Sequence, residues 1–264
     1  MTDAPVHSAP VLGIDIGGSG IKGAPVDLTT GELAAKRLRI PTPEKSTPKN
    51  VAKVVGEIVA NFADIIGADG PIGITIPAVV THGTTRSAAN IDKSWIDCAA
   101  EKVFEDELGR DIVLVNDADA AGLAEVHYGA AKDHPGLVLL TTLGTGIGTA
   151  LVYRGVLVPN SELGHIEVDG HDAESKAASS VKDKEGLSYS EWAKRLQRYY
   201  ETLEALLWPD LIVIGGGVSK DSDKFLSKLK LKSEIVPAKL LNTAGIVGAA
   251  WLAADRRIHP DVLK

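Results

Sequence analysis

VLGIDIGGSGIKGAPV, residues 11–26, is an apolar run broken at Gly17-Gly18-Ser19-Gly20 and then resumed. Val11–Ile16 reads as a buried strand, and residues 21–28 as a returning strand that ends in the Thr-Thr-Gly turn at 29–31. A dinucleotide fingerprint needs a helix after its glycines, so this order of strand, turn and strand argues against one. Pro25, inside the returning run, argues the same way. LVLLTTLGTGIGTALV, residues 137–152, repeats the arrangement and sets Gly144-Thr145-Gly146-Ile147 under Gly18-Ser19-Gly20-Ile21. An internal duplication accounts for this, with chance likeness between two hairpins as the alternative. A third turn, Gly215-Gly216-Gly217, follows the apolar strand Leu211–Ile214 and precedes a helical stretch.

Beyond this run, Glu32–Ile40 reads as a third strand and the Pro-rich segment 41–48 as a connection. From Lys49 to Ile66 the apolar positions follow helical spacing until Gly67 and Gly70 stop them. Ile72–Ile76 is a strand closed by Pro77; a helix over 97–108, a strand Ile112–Val115 and a helix Asp117–Tyr128 follow. The pattern is α/β.

The 264 residues are 44% hydrophobic and 24% charged, which excludes a disordered or collagen-like chain. The longest apolar run, near 244–254, is too short to span a bilayer, and MTDAPVHSAP lacks the features of a signal peptide. No membrane partner is expected. The one cysteine, Cys98, allows no disulfide within the chain and no cysteine-built metal site, and the expected location is cytoplasmic. A net charge of −7 argues against a nucleic-acid partner. Lys220, Lys224, Lys228, Lys230 and Lys232 form the clearest basic stretch. It reads as a solvated helix face or, for Lys224, Lys228 and Lys230, as a track for a long polyanion.

A glycine turn permits positive φ and lets backbone N–H groups cradle phosphate oxygens. Three such turns at strand ends point to a phosphorylated ligand, although each alone is ordinarily a tight turn. Asp15 beside such a cradle is unfavourable unless a cation intervenes, which suggests Mg²⁺ held through water. Lys22 is a candidate point charge on the phosphate.

The string Asp15-Ile-Gly17-Gly18-Ser19-Gly20-Ile-Lys22 resembles the first phosphate motif of the ROK family of sugar kinases and repressors. Gly144-Thr145-Gly146 resembles its second phosphate motif, Gly215-Gly216-Gly217-Val-Ser its adenosine motif, and Asn116-Asp117-Ala-Asp119-Ala120 the segment with its catalytic aspartate. Glu162-Leu-Gly164-His165 resembles its sugar-binding pair, and Asn90, before Trp95, its sugar-contacting asparagine. The matches run in order over roughly residues 11–254. The resemblance implies a duplicated actin-like, ribonuclease H-like fold of two domains around a cleft, and a homodimer. The expected small domain is 1–117 with about 246–258; the expected large domain is 118–245.

Many members of that family place a cysteine-rich zinc site after the Gly-His pair. Residues 165–174 contain no cysteine, so no zinc of that type is expected, and with it goes one way of ordering His165. This variant is similar to the branch that phosphorylates glucose or mannose from polyphosphate or ATP. Asp117 is the expected base; an aspartate there is ordinarily a helix N-cap, but Asp119 can take that role. Asn90, Asn116, Asp117, Glu162, His165 and Glu174 are the expected sugar ligands, with Glu174 equally readable as a surface carboxylate. Trp95 is expected to pack rather than stack on a ligand.

The expected reaction is therefore transfer of a phosphoryl group to the 6-hydroxyl of glucose or mannose. A family kinase for an N-acylated hexosamine using ATP alone is the alternative. A sugar-responsive repressor is disfavoured because only ten residues precede Val11. A noncatalytic actin-like protein would leave Asn116-Asp117 and Glu162…His165 without purpose.

Overall fold

The computed structural model describes residues 9–89 and 91–258, with side chains as far as 255. It divides into two compact units. One draws on Thr2–Ala124 and Thr243–Lys264, and the other is Glu125–Asn242.

In the first unit, β1 (Val11–Gly17) and β2 (Gly20–Asp27) form a hairpin with Gly17 opposite Gly20, so the turn is Gly18-Ser19 alone. Strands covered on both faces read as continuous apolar runs. β3 (Glu32–Leu33) and β4 (Leu38–Ile40) both pair with β2. The single strand expected over Glu32–Ile40 is split for a physical reason. The Ala34 N–H donates to the Pro25 carbonyl at 2.8 Å, and Pro25 has no N–H to return, so the ladder stops there. α1 (Pro48–Asn61) starts with Pro48 in its first turn and buries Val51, Val54, Val55 and Ile58. It breaks at Phe62, and α2 (Ala63–Ile66) follows.

β5 (Ile72–Ile76) adds parallel to β1. The ribbon β6 (Val80–Thr81) and β7 (Thr84–Thr85) precedes α3 (Ala100–Leu108). This helix begins three residues after the expected start because Asp97 is left-handed, with φ 55°. β8 (Val113–Asn116) adds parallel to β5, and α4 (Asp117–Tyr128) leaves its end.

The second unit repeats this order. β9 (Leu137–Leu143) and β10 (Ile147–Tyr153) form the hairpin, and β11 (Val156–Val158) extends it. β12 (Glu167–Val168) and β13 (His171–Asp172) pair separately, and α5 (Glu174–Ala177) and α6 (Ser179–Lys184) follow. α7 (Tyr189–Leu207), β14 (Leu211–Gly215) and β15 (Glu234–Pro237) complete it. The sheet order β11-β10-β9-β14-β15 matches β3-β2-β1-β5-β8, with the last two strands parallel in each. Duplication is the economical account. The helix expected after Gly217 is instead a set of 3₁₀ turns, Gly217–Lys224 and Leu226–Lys228, kinked at Asp221.

α7 carries a capping box, Ser188 with Glu191, and buries Trp192, Leu196, Tyr199, Tyr200 and Leu203 on one stripe. Glu125 is fully buried. It accepts from the N–H groups of Ala130 at 2.6 Å, Lys239 at 3.1 Å and Leu240 at 2.7 Å, pinning the loop after β15.

The last helix, α8 (Ala244–Ile258), returns to the first unit and lies on β1 and β5. The approach is backbone to backbone. A Cβ on Gly13 would overlap the Ile246 carbonyl, and one on Gly73 the Ala249 carbonyl.

Candidate functional site

The first unit carries a polar row across four strands. Arg39 of β4 faces Lys22 of β2, Lys22 faces Asp15 of β1, and Asp15 faces Thr75 of β5. Directly opposed residues share a sheet face, so the registers of β4 on β2, β2 on β1 and β1 on β5 gather these side chains. The Asp15 carboxylate accepts from Lys22 Nζ and from Thr75 Oγ1, each at 3.0 Å. Gly245, in the first turn of α8, lies against it. The Gly18-Ser19 turn is tied back by its carbonyls: Arg39 Nη2 donates to Ser19 O at 2.7 Å and Thr42 Oγ1 to Gly17 O at 2.5 Å. Oxygens that would repel a phosphate are thereby occupied.

The donor set limits what metal this row can hold. Magnesium takes one or two carboxylates, substrate phosphates and water. Asp15 is the one carboxylate in the row, and both its oxygens already accept hydrogen bonds. Among the described residues no group of three His, Cys, Asp or Glu gathers to hold a metal by itself. The residues fit a magnesium held through water and brought with a phosphate chain.

At the end of β8 the structure corrects one expectation. Asn116, not Asp119, caps α4: its Oδ1 accepts from Ala118 N at 2.8 Å and Asp119 N at 3.1 Å, while its Nδ2 donates to Ala78 O at 3.1 Å. Asn116 is buried, and its carboxamide is largely committed. Asp117 is half-buried as the first helical residue, with Oδ1 accepting from Ala118 N at 2.9 Å. Asn90 lies outside the described residues. Close after it, Trp95 is fully buried, donates to Ser46 O at 2.7 Å and packs on Phe104, so it is a packing residue as expected.

In the second unit, Glu162 and His165 bracket a single 3₁₀ turn, Leu163–His165. Three contacts hold it: Leu163 N to Thr149 Oγ1 at 2.9 Å, Tyr199 Oη to Leu163 O at 3.3 Å, and His165 N to Glu162 O at 3.1 Å. Glu162 has φ 23°, a strained value for a residue with a side chain. Its side chain reaches the surface, yet partial burial of the carboxyl pushes its pKa up, reinforced by Glu174 and opposed by His165.

His165 Nδ1 lies 2.9 Å from Asp172 Oδ2 on β13. That hydrogen bond is the main reason its pKa is raised, with Glu174, Asp172 and Glu162 adding to it against some burial. Partial burial opposes ionisation of Asp172, but the bonds from His165 and the Ser175 N–H outweigh it and hold its pKa down. Glu174 Oε2 accepts from Ile147 N at 2.7 Å and fills the space where a Gly146 side chain would stand. Glu162, His165, Asp172 and Glu174 thus form one electrostatically coupled group.

The second glycine turn bridges β9 and β10 and is fastened to α6. Ser179 Oγ donates to Gly144 O at 3.1 Å, Ser180 N to the same oxygen at 3.1 Å, and Ser180 Oγ to Thr145 O at 2.6 Å. Of the glycines in the three turns read as phosphate cradles, Gly216 alone has positive φ, at 82°, and a Cβ there would strike the Leu143 backbone. Ser219 Oγ returns to Gly216 O at 2.8 Å.

Sequence reasoning missed Asp172, Thr75 and Arg39. The register that opposes Lys22 with Asp15 was readable from the hairpin; Thr75 and Arg39 join through the pairings of β5 with β1 and of β4 with β2, which were not. Asp172 had no such signal.

Residues 11–186 match the model of the ROK family. The chain is 51% identical over 249 residues to the polyphosphate glucokinase of Mycobacterium tuberculosis strain H37Rv, covering 94% of this chain and 92% of that protein. The crystal structure of an inorganic polyphosphate/ATP-glucomannokinase from Arthrobacter sp. strain KM superposes with a TM-score of 0.90 at 49% identity, over 94% of this chain and all of that one. A ROK glucokinase from Streptomyces griseus, in complex with glucose and AMPPNP, shares the fold at a TM-score of 0.77 and 23% identity, covering 94% of this chain and 100% of that one. The repeated sheet is accordingly that of the actin-like ATPases. With its turns, its Asn-Asp junction and its Glu…His segment all in the order first read from the sequence, the chain belongs to the ROK family.

Proposed function

We propose that this chain is a glucokinase that transfers a phosphoryl group from inorganic polyphosphate or ATP to the 6-hydroxyl of glucose, with mannose as a second acceptor. The observation that carries the reading is 51% identity over 94% of the chain to a polyphosphate glucokinase. The polar groups of both units are of the right kinds for it.

The sugar oxygen attacks the terminal phosphorus, a P–O bond forms, and the bridging P–O bond to the rest of the donor breaks. Asp117 takes the hydroxyl proton. Glu162, His165 and Glu174 hold sugar hydroxyls, joined by Asn90 and by the remaining Nδ2 hydrogen of Asn116. Because ionised Asp172 can only accept, it keeps the proton on Nδ1 of His165 and leaves Nε2 to a sugar hydroxyl. Gly17, Gly18, Ser19, Gly20 and Lys22 bind donor phosphate, as do Gly144, Thr145 and Gly146. Gly215, Gly216 and Gly217 border adenosine when ATP is the donor. Mg²⁺, when bound through Asp15, neutralises charge on the phosphate oxygens.

We also read the protein as a cytoplasmic homodimer, for which sedimentation velocity is the check on assembly. Among the described residues no helix is long and apolar enough to cross a membrane. A matrix of donors and acceptors tests the function: ATP, GTP and polyphosphate against glucose, mannose, fructose and N-acetylmannosamine. Turnover of glucose with both polyphosphate and ATP is expected. Turnover of N-acetylmannosamine with ATP alone would overturn the reading.

A further inference from the structure

The 3₁₀ turns that follow Gly217 lead to a groove of about 500 Å³ on the second unit, bordered by Ser190, Lys194, Gln197 and Glu201 of α7 and by Lys228 and Lys230. The α7 residues are spaced as one face of a helix. At 1.5 Å per residue, 190 to 201 makes the groove about 16 Å long. Its far wall is fixed: Gln197 Nε2 donates to Lys230 O at 2.8 Å, and Lys230 N donates to Gln197 Oε1 at 2.7 Å.

The charge on this groove is positive. Its lining carries three lysines against one carboxylate, Glu201, which shares Arg198 with Asp169. Among the described residues, Lys194, Lys228 and Lys230 are in no ion pair, whereas Lys224 is bound to Asp221 at 2.5 Å. Lys224, read either as part of a solvated face or as part of a polyanion track, is the least available of the set; Lys194, distant in sequence, stands beside Lys228 and Lys230 instead.

The groove is also connected to the second phosphate turn. Ser180 of α6 binds Thr145 O at 2.6 Å, and Lys182, on the same helix, lies 4.7 Å from the centre of the Tyr189 ring. Lys224 lies 5.4 Å from that ring, and Tyr189 directly precedes the groove residue Ser190. A run of contacts therefore leads from Thr145 to the groove, with its two lysines paired, Lys182 to Asp183 at 2.6 Å and Lys224 to Asp221.

We propose that this groove binds the distal part of a long polyphosphate chain, with Lys194, Lys228 and Lys230 as its cations. The inference rests on polyphosphate being a donor. An elongated groove with spaced cations suits a linear polyanion better than a single phosphate, and no aromatic ring borders it to stack nucleic-acid bases.

The test is the full-length triple variant K194Q/K228Q/K230Q, assayed with long-chain polyphosphate, tripolyphosphate and ATP, with K194R/K228R/K230R as the charge-keeping control. Loss of three exposed charge contacts should raise KM for the long chain about tenfold, less at high salt, with the other two donors changed by less than about twofold. The arginine variant should keep the long-chain KM. An unchanged long-chain KM, or an equal loss with ATP, would overturn the groove. So would an oligonucleotide that binds the wild type in a lysine-dependent way while polyphosphate use is untouched. Failure of the donor reading is seen separately, as a wild-type protein that uses ATP and no polyphosphate.

Discussion

Asp172 holds the Nδ1 edge of His165 at 2.9 Å, and Asp172 is itself fixed at its other oxygen by the Ser175 N–H at 3.1 Å. Orientation of the histidine thus comes from a carboxylate on a two-residue strand, in a stretch with no cysteine for a zinc site. Asp172→Asn keeps the shape and removes the charge. The hydrogen bond to Asp172 raises the His165 pKa, so its loss should move the ring's titration midpoint down, as followed by NMR. The KM for glucose should rise about tenfold while kcat stays near wild type. An unmoved midpoint with an unmoved KM would make this pair ornamental.

Asp117→Asn retains an oxygen for the Ala118 N–H and loses the proton acceptor. Turnover should fall by about 10²–10⁴ with either donor, with little change in glucose KM or in melting temperature. Steady-state kinetics decide it: turnover within about threefold of wild type would remove Asp117 from the role of base.

Gly73→Ala places a methyl group on the Ala249 carbonyl, and Gly13→Ala one on that of Ile246. Backbone cannot step aside as a side chain can, so each should cost about 2–4 kcal/mol in denaturant unfolding. Gly67→Ala, where a Cβ meets nothing but φ is 69°, should cost about 1 kcal/mol from strain alone. Equal losses at all three positions would contradict the close approach of α8.

His127 is depressed to about 4 from the usual 6.5 by burial. The unfolded chain takes up a proton near pH 6.5 that the folded chain refuses until about pH 4. This contribution to stability is therefore complete above pH 6.5 and is lost as pH falls toward 4. Between about pH 7 and pH 5 it should remove about 2 kcal/mol. His127→Gln should show a smaller loss over that interval, and an unchanged pH slope would assign the acid sensitivity elsewhere.

The hairpins were legible because strand, turn and strand leave a local signature, and Asp117 because it stands where an apolar strand passes into a helix. α7 was equally available: Ser188-Tyr-Ser-Glu191 is a capping box, and the buried positions from Trp192 onward follow helical spacing. The partners of the expected residues were not available. Asp172 reaches His165 only because β12 and β13 fold back, and Lys194 meets Lys228 and Lys230 only through the packing of α7. Asn116 shows a role that was not read: the N–H groups of the helix start take its oxygen, and its amide nitrogen alone is left for a ligand.

The return of α8 to β1 and β5 also sets an order of assembly on the ribosome. Glu125–Asn242 is contiguous and has its own core, so it can close as soon as it emerges. The sheet made before it must wait, with Gly13 and Gly73 bare on one face, until the helix that covers them has been synthesised. The oldest part of the nascent chain is thus the last to be sealed, and the face left open in the meantime is the one from which Asp15 projects.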